Sequence, residues 1–169
     1  MPEAPNADRP RVLVADPDPE ISALLARQLE WAGYDVSTAG NGRDALDLIC
    51  RLKPAAAVLE VKMDILTGYE VVRQMREDDR SRLVPVVMIS ARAGKLDRDF
   101  AFTVGADDYV KKPFRSAELI ARLALLAPSP YAPKKPQLEP VPDATPAAAA
   151  KPSPIARPRR AFAPLALAR

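Results

Sequence analysis

The residues able to do chemistry fall at a few points along the chain. "DPDPE" (Asp16–Glu20) places Asp16 and Asp18 two apart, each followed by a proline. Glu60 closes the apolar run "AAAVLE", Ser90 closes "LVPVVMIS", and Lys111 and Lys112 stand directly before Pro113. Brought to one rim, carboxylates, a hydroxyl and an ammonium suit a bound cation or an internal ion pair. A phosphate-cradling loop needs glycines, hydroxyls and free amides. The acids and prolines after Ala15 would instead repel a nucleotide phosphate. The chain has no histidine, which excludes His-based zinc sites, His general bases and phosphohistidine chemistry within it. Its one cysteine, Cys50, can form no internal disulfide and reads as a small core residue in a helical pattern.

The elements that must position these residues alternate. "RVLVA" (Arg11–Ala15) is a short strand, and Ile21, Leu24, Leu25 and Leu29 follow at helical spacing. Asp18 sits where an N-cap belongs and Pro19 where a first helical residue belongs; Gly33 marks the stop. "DVSTA" (Asp35–Ala39) is a second strand, and Asn41 caps the helix "GRDALDLICRL". The third strand, "AAAVLEV", delivers Glu60, and "TGYE" (Thr67–Glu70) is a capping box ahead of Val71, Val72 and Met75. "LVPVVMIS" (Leu83–Ser90) is a fourth strand, and Leu96, Phe100 and Val104 mark a fourth helix that stops near Gly105. "DDYVKK" is a short fifth strand, and Ser116 caps a last helix through Leu119, Ile120 and Leu123. Trp31 and the methionines read as packing, and "REDDRSR" (Arg76–Arg82) as a solvated connection. Five strands alternating with five helices predict a doubly wound α/β fold, a parallel sheet covered on both faces. Such sheets bind ligands at the carboxyl ends of their strands.

Composition sets the boundaries: a loose, Pro-rich N-terminus over 1–10, one domain over 11–126, and a disordered Pro/Ala-rich tail over 127–169. The tail holds eleven prolines in 43 residues. Its seven basic residues (Lys134, Lys135, Lys151, Arg157, Arg159, Arg160, Arg169) face only Glu139 and Asp143, a charge of +5. With +3 for the whole chain, the remainder carries −2, so the basic character belongs to the tail. No run approaches the roughly 20 apolar residues of a membrane span. "MPEAPNADRP" lacks a signal-peptide core, so the expected location is cytoplasmic.

"RVLVADPDPEI", "VLEVKMDILTGYEVVRQMR", "PVVMISAR" and "GADDYVKKPF" together resemble the receiver domain of bacterial two-component response regulators, over about Arg11 to Leu126. The resemblance implies a flavodoxin-like, five-stranded sheet of order 2-1-3-4-5. It also implies a pocket in which two adjacent acids after strand one hold Mg²⁺ and an aspartate ending strand three takes a phosphoryl group from a kinase histidine. Asp16 matches the first acid, but the second position is Pro17, and the acceptor position is Glu60. Ser90 matches the strand-four hydroxyl. Lys112 matches the pocket lysine, before Pro113, whose bond the family often holds cis, and Tyr109 matches the switch aromatic of strand five. The family's Pro-Gly after strand three is replaced by Asp64–Ile65.

The departures bear on phosphoryl transfer, which depends on positioning and on a metal that neutralises charge. Glu60 carries its carboxylate about an ångström further from the strand, and a misplacement near 1 Å can cost on the order of 100-fold. Mg²⁺ should bind weakly at best with Asp16 and Glu60 alone. Asp18 is a conceivable substitute ligand, although an N-cap is its simpler role. The longer glutamate could also pair with Lys112 and accept a bond from Ser90. It would then mimic in part a phosphoryl group, whose charge is roughly −1.5 to −2. The expected function is a non-catalytic signalling module, without a cofactor and not switched by phosphorylation. It would bind a histidine kinase, another regulator or an effector through the face made by the fourth helix, fifth strand and fifth helix. The rival readings are a site in which Glu60 merely balances Lys112, and a conventional phosphoacceptor. Weak, salt-sensitive binding of the basic tail to nucleic acid or an acidic membrane ranks lower, and no helix-turn-helix pattern follows the receiver.

Overall fold

The structure, a computed structural model, describes residues 9–92 and 94–129. Ten elements alternate: β1 (Arg11–Ala15), α1 (Pro19–Trp31), β2 (Asp35–Ala39), α2 (Gly42–Leu52), β3 (Ala56–Glu60), α3 (Gly68–Glu77), β4 (Val86–Ser90), α4 (Lys95–Val104), β5 (Asp108–Lys111) and α5 (Ser116–Leu126). The sheet is parallel throughout, in the order β2-β1-β3-β4-β5. Successive strand residues point to opposite faces, and two cores result. Leu13, Ala15, Leu59 and Met88 pack with Ala45 and Ile49 of α2, Val71, Val72 and Met75 of α3, and Ala101 of α4. Val12, Val14, Val58 and Ile89 pack with Leu25 and Leu29 of α1 and Leu119 and Leu123 of α5. The central strands β3 and β4 are buried along their whole length, as helices on both faces require.

Local chemistry starts three of the helices as expected. Asp18 Oδ1 accepts from the amides of Glu20 and Ile21. Asn41 Oδ1 accepts from Asp44 N, and Thr67 and Glu70 bond reciprocally in a full capping box. Ser116 is not a cap: Arg115 holds that position without a side-chain bond, and Ser116 is the first helical residue. β4 begins at Val86 rather than Leu83, because Pro85 has no amide to give the ladder; its carbonyl instead accepts from Ala57 N.

Trp31 does not pack. It is 91% exposed, because the buried stripe of α1 runs through Ser22, Leu25 and Leu29 and turns Trp31 outward. On α4 only Ala101 is buried, so Leu96 and Phe100 mark the helix but not its inner face. Phe100 meets the ring of Tyr69 edge-on, with centroids 4.9 Å apart. Cys50 is half-buried, its thiol 3.7 Å from Asp78 Oδ2.

The segment Arg76–Arg82 is a knot rather than a solvated connection. The Arg76 guanidinium donates to the carbonyls of Gly105 (2.7 Å), Arg82 (2.9 Å) and Val84 (2.8 Å) and pairs with Asp107 at 3.0 Å. Asp107 Oδ2 also accepts from Val86 N at 2.7 Å. One side chain thus ties the end of α3 to the starts of β4 and β5. Gly105 (φ +112°) lies so close that an added Cβ would sit 2.8 Å from Arg76 Cγ. Ser81, fully buried, donates to Met75 O.

Ala127 to Ser129, which the composition break assigns to the tail, are docked. Tyr34 Oη donates to Ala127 O at 2.9 Å and Ser129 Oγ to Gly33 O at 2.9 Å. The tail from Pro130 onward and the N-terminus before Arg9 lie outside the described residues, as do the expectations made for them. No helix among the described residues is long and apolar enough to cross a membrane.

Arg76→Ala should lower unfolding free energy by roughly 2–4 kcal/mol, since it strands several carbonyls. Arg76→Lys should recover little of this, because an ammonium cannot reproduce the fork. Urea denaturation of the three proteins checks this; a loss below about 0.5 kcal/mol for the alanine variant would contradict the knot.

Candidate functional site

Sheet register sets the site. Ala15 lies opposite Leu59, Glu60 opposite Ile89, and Ser90 opposite Lys111, so the ends of β1, β3, β4 and β5 are level. Three backbone bonds carry the alignment past the strand ends: Asp16 N to Ala39 O, Val61 N to Ile89 O, and Lys112 N to Ser90 O. The next side chains, Asp16, Glu60, Ser90 and Lys112, therefore share one rim.

Lys112 Nζ lies 2.6 Å from Asp16 Oδ2 and 2.6 Å from Glu60 Oε2. Both carboxylates are nearly out of solvent, Asp16 at 2% and Glu60 at 7% exposure. Their remaining oxygens are also engaged: Asp16 Oδ1 accepts from Asp18 N at 2.9 Å and Glu60 Oε1 from Lys62 N at 3.1 Å. Burial pushes the Lys112 ammonium down, but the hydrogen bonds to Asp16 and Glu60 outweigh it. The net effect raises Lys112 above the ordinary lysine value of 10.5.

Ser90 and Tyr109 hold the backbone after β4. The buried Ser90 Oγ accepts from Arg92 N at 3.1 Å, and Tyr109 Oη donates to Arg92 O at 2.7 Å. No hydrogen bond joins Ser90 to Glu60 among the described residues: Ser90 Oγ accepts from Arg92 N, and Glu60 Oε1 accepts from Lys62 N. Asp18 also stays out of the pocket; its exposed carboxylate caps α1. The Lys112–Pro113 bond is cis. Tyr69 was not singled out from sequence. Its hydroxyl reaches Asp97 O at 3.4 Å, and burial, with smaller contributions from Tyr109 and Asp97, pushes it up to about 12. The amides of Lys62, Asp18 and Arg92 were equally invisible, since any residue can supply one.

The loop after β3 is strained. Ile65 has φ +69°, and Leu66 N bonds Asp64 O at 2.8 Å, which makes a tight γ-turn on a β-branched residue. Gly42 accommodates it: an added Cβ would sit 2.0 Å from Leu66 O.

An octahedral Mg²⁺ ion does not fit this donor set. Pro17 supplies no side-chain ligand, and all four oxygens of Asp16 and Glu60 already accept from Lys112 or a backbone amide. Among the described residues no group of three or more acids or thiols forms a metal cluster.

Residues 12–124 match the family model of the response regulator receiver domain, and the chain belongs to that family. It is 44% identical over 117 residues to the transcriptional regulatory protein PrrA of Mycobacterium leprae, covering 69% of this chain and 49% of that protein. The "DNA-binding dual master transcriptional regulator RpaA" of Synechocystis is 38% identical, with 69% and 48% covered. The chain thus spans about half the length of the curated relatives it matches. Among solved structures, the Francisella response regulator 1452 receiver domain superposes with a TM-score of 0.67 at 32% identity, covering 70% of this chain and 97% of that one. The receiver of the sensor histidine kinase PA1611 from Pseudomonas aeruginosa, solved with a magnesium ion coordinated in its active-site cleft, gives 0.66 at 27% identity, covering 70% and 98%.

Lys112→Met should cost about 3 kcal/mol at neutral pH by leaving two buried carboxylates unpaired. Because folding raises the Lys112 value, its contribution is full below pH 10.5 and is lost as pH rises through the folded value. The gap between wild type and variant in urea denaturation should therefore be flat near neutrality and close in strong alkali. A gap that widens there would contradict the bridge. Ile65→Gly should stabilise by about 1 kcal/mol by relieving the positive φ; a lower melting temperature would show that the turn is not strained.

Proposed function

We propose that this receiver domain is a protein-interaction module of two-component signalling whose state is not set by phosphorylation at position 60. One observation carries the reading: a single ammonium, Lys112, lies 2.6 Å from both the Asp16 and the Glu60 carboxylates. A phosphoryl acceptor needs a free oxygen aligned with the donor and a metal on the transferring group. Glu60 offers an oxygen already held by Lys112, and Pro17 removes a ligand. The loop after β4 is held by Ser90 and Tyr109 through Arg92, which supports one resting arrangement. The module is non-catalytic in this reading. It meets a kinase, another regulator or an effector on the face of α4, β5 and α5, where Leu96 and Phe100 are exposed and Arg122 pairs with Asp108 and Glu118.

Intact-mass measurement after incubation with acetyl phosphate and Mg²⁺ tests this. The wild-type chain should gain no adduct of about 80 Da, whereas the double variant Pro17→Asp, Glu60→Asp should gain one. A phosphorylated wild-type chain, with the group mapped to Glu60, would overturn the reading in favour of a conventional phosphoacceptor.

A further inference from the structure

The helix α4 is held unevenly along its length. Its second half is anchored. Ala101 is fully buried, Val104 packs against the core, and Ala106 N bonds Ala101 O. The Arg76 guanidinium donates to Gly105 O, at the end of the helix, at 2.7 Å. The first half has little of this. Gly94 holds the cap position and makes no side-chain bond to the first-turn amides. From Lys95 to Phe100 only Asp97 is other than exposed. Few buried apolar contacts and exposed backbone bonds mark a segment that opens locally. What meets this half is Tyr69 of α3. Its ring packs against the core, stands edge-on to Phe100 with centroids 4.9 Å apart at 79°, and sends its hydroxyl to Asp97 O at 3.4 Å. Asp97 and Phe100 are three apart and so share one face of the helix. Tyr109 of β5 is a neighbour: burial first, and then Tyr109, push the Tyr69 hydroxyl up. Tyr109 Oη in turn donates to Arg92 O, two residues before the cap. Two tyrosines from two elements thus bracket the start of α4.

We propose that Tyr69 is a latch on the first half of α4: while its ring meets Phe100 the helix start is closed, and when the rings part the start opens as a unit hinged at Ala101. Opening bares both rings beside Leu96, which is already exposed, and widens the apolar surface there. Tyr69 is a positioning residue, and the step needs no change at the Glu60 pocket, whether or not that pocket takes a phosphoryl group.

Amide hydrogen exchange followed by NMR on the full chain tests this, with Tyr69→Leu, Phe100→Leu, the double variant and Tyr69→Phe. Phe100 is 52% exposed, so its leucine variant keeps the fold. Each leucine variant should speed exchange of the Arg98 and Asp99 amides roughly three- to tenfold, the range an edge-on ring pair supports. The double variant should exchange no faster than the faster single one, because both changes remove the same contact. Tyr69→Phe keeps the ring and should retain most of the protection. Amides of the central strands, such as Val58 and Val87, should not change. Unaltered exchange at Arg98 and Asp99 would overturn the proposal. So would effects that multiply in the double variant, or a rise shared equally with Val58 and Val87, which would mean general destabilisation and no latch.

Discussion

One buried ion pair with three members organises this domain's functional end. Lys112 holds Asp16 and Glu60 at once, and among the described residues neither acid forms a second salt bridge. Two carboxylates removed from water repel each other and lose hydration; a shared ammonium offsets both costs. The triad carries one net negative charge, and each of its four carboxylate oxygens has Lys112 or a backbone amide as a donor. Its chemistry is that of a closed salt bridge, and the rest of the rim is arranged around it.

That bridge exists because four strands end level. Asp16, Glu60, Ser90 and Lys112 come from strands far apart in sequence, and only the parallel register aligns them. A slip of one residue in β3 would turn Glu60 into the helix layer and an apolar side chain into the pocket. Register is guarded at the opposite edge of the sheet by Arg76, which fastens α3 to the backbones that lead into β4 and β5. The two ends of the sheet thus have different tasks: one is bonded for alignment, and the other displays what the alignment produces.

Much of this was legible in the residues. The caps at Asp18, Asn41 and Thr67 depend on neighbours three residues away, so local sequence encodes them fully. The alternation of strand and helix follows from periodicity, the shared rim follows from the strand ends, and the pairing of Lys112 with the acids is what the family resemblance implies. What failed depends on distant chain. An apolar type alone reads Trp31 as packing, but helical phase decides its direction and turns it outward. Ser90 reads as a partner for Glu60, but in the fold its oxygen accepts from Arg92 N. Arg76–Arg82 looked solvated because its charges hide three backbone carbonyls that only the fold brings to Arg76. Ile65 gave no warning of a positive φ beyond replacing a glycine, and Ser116 resembled a cap one residue too late.

In the pocket of this receiver domain the two acids are held by the protein's own ammonium, Lys112. The amides of Asp18 and Lys62 read this directly, since they donate to Asp16 Oδ1 and Glu60 Oε1. Titrating the chain with Mg²⁺ while following those two resonances by ¹⁵N NMR tests the account most closely. No saturable shift should occur up to about 10 mM Mg²⁺, given the strict oxygen geometry the ion demands. Saturable shifts at both amides below about 1 mM would contradict it, because they would show the ion displacing Lys112 from the acids.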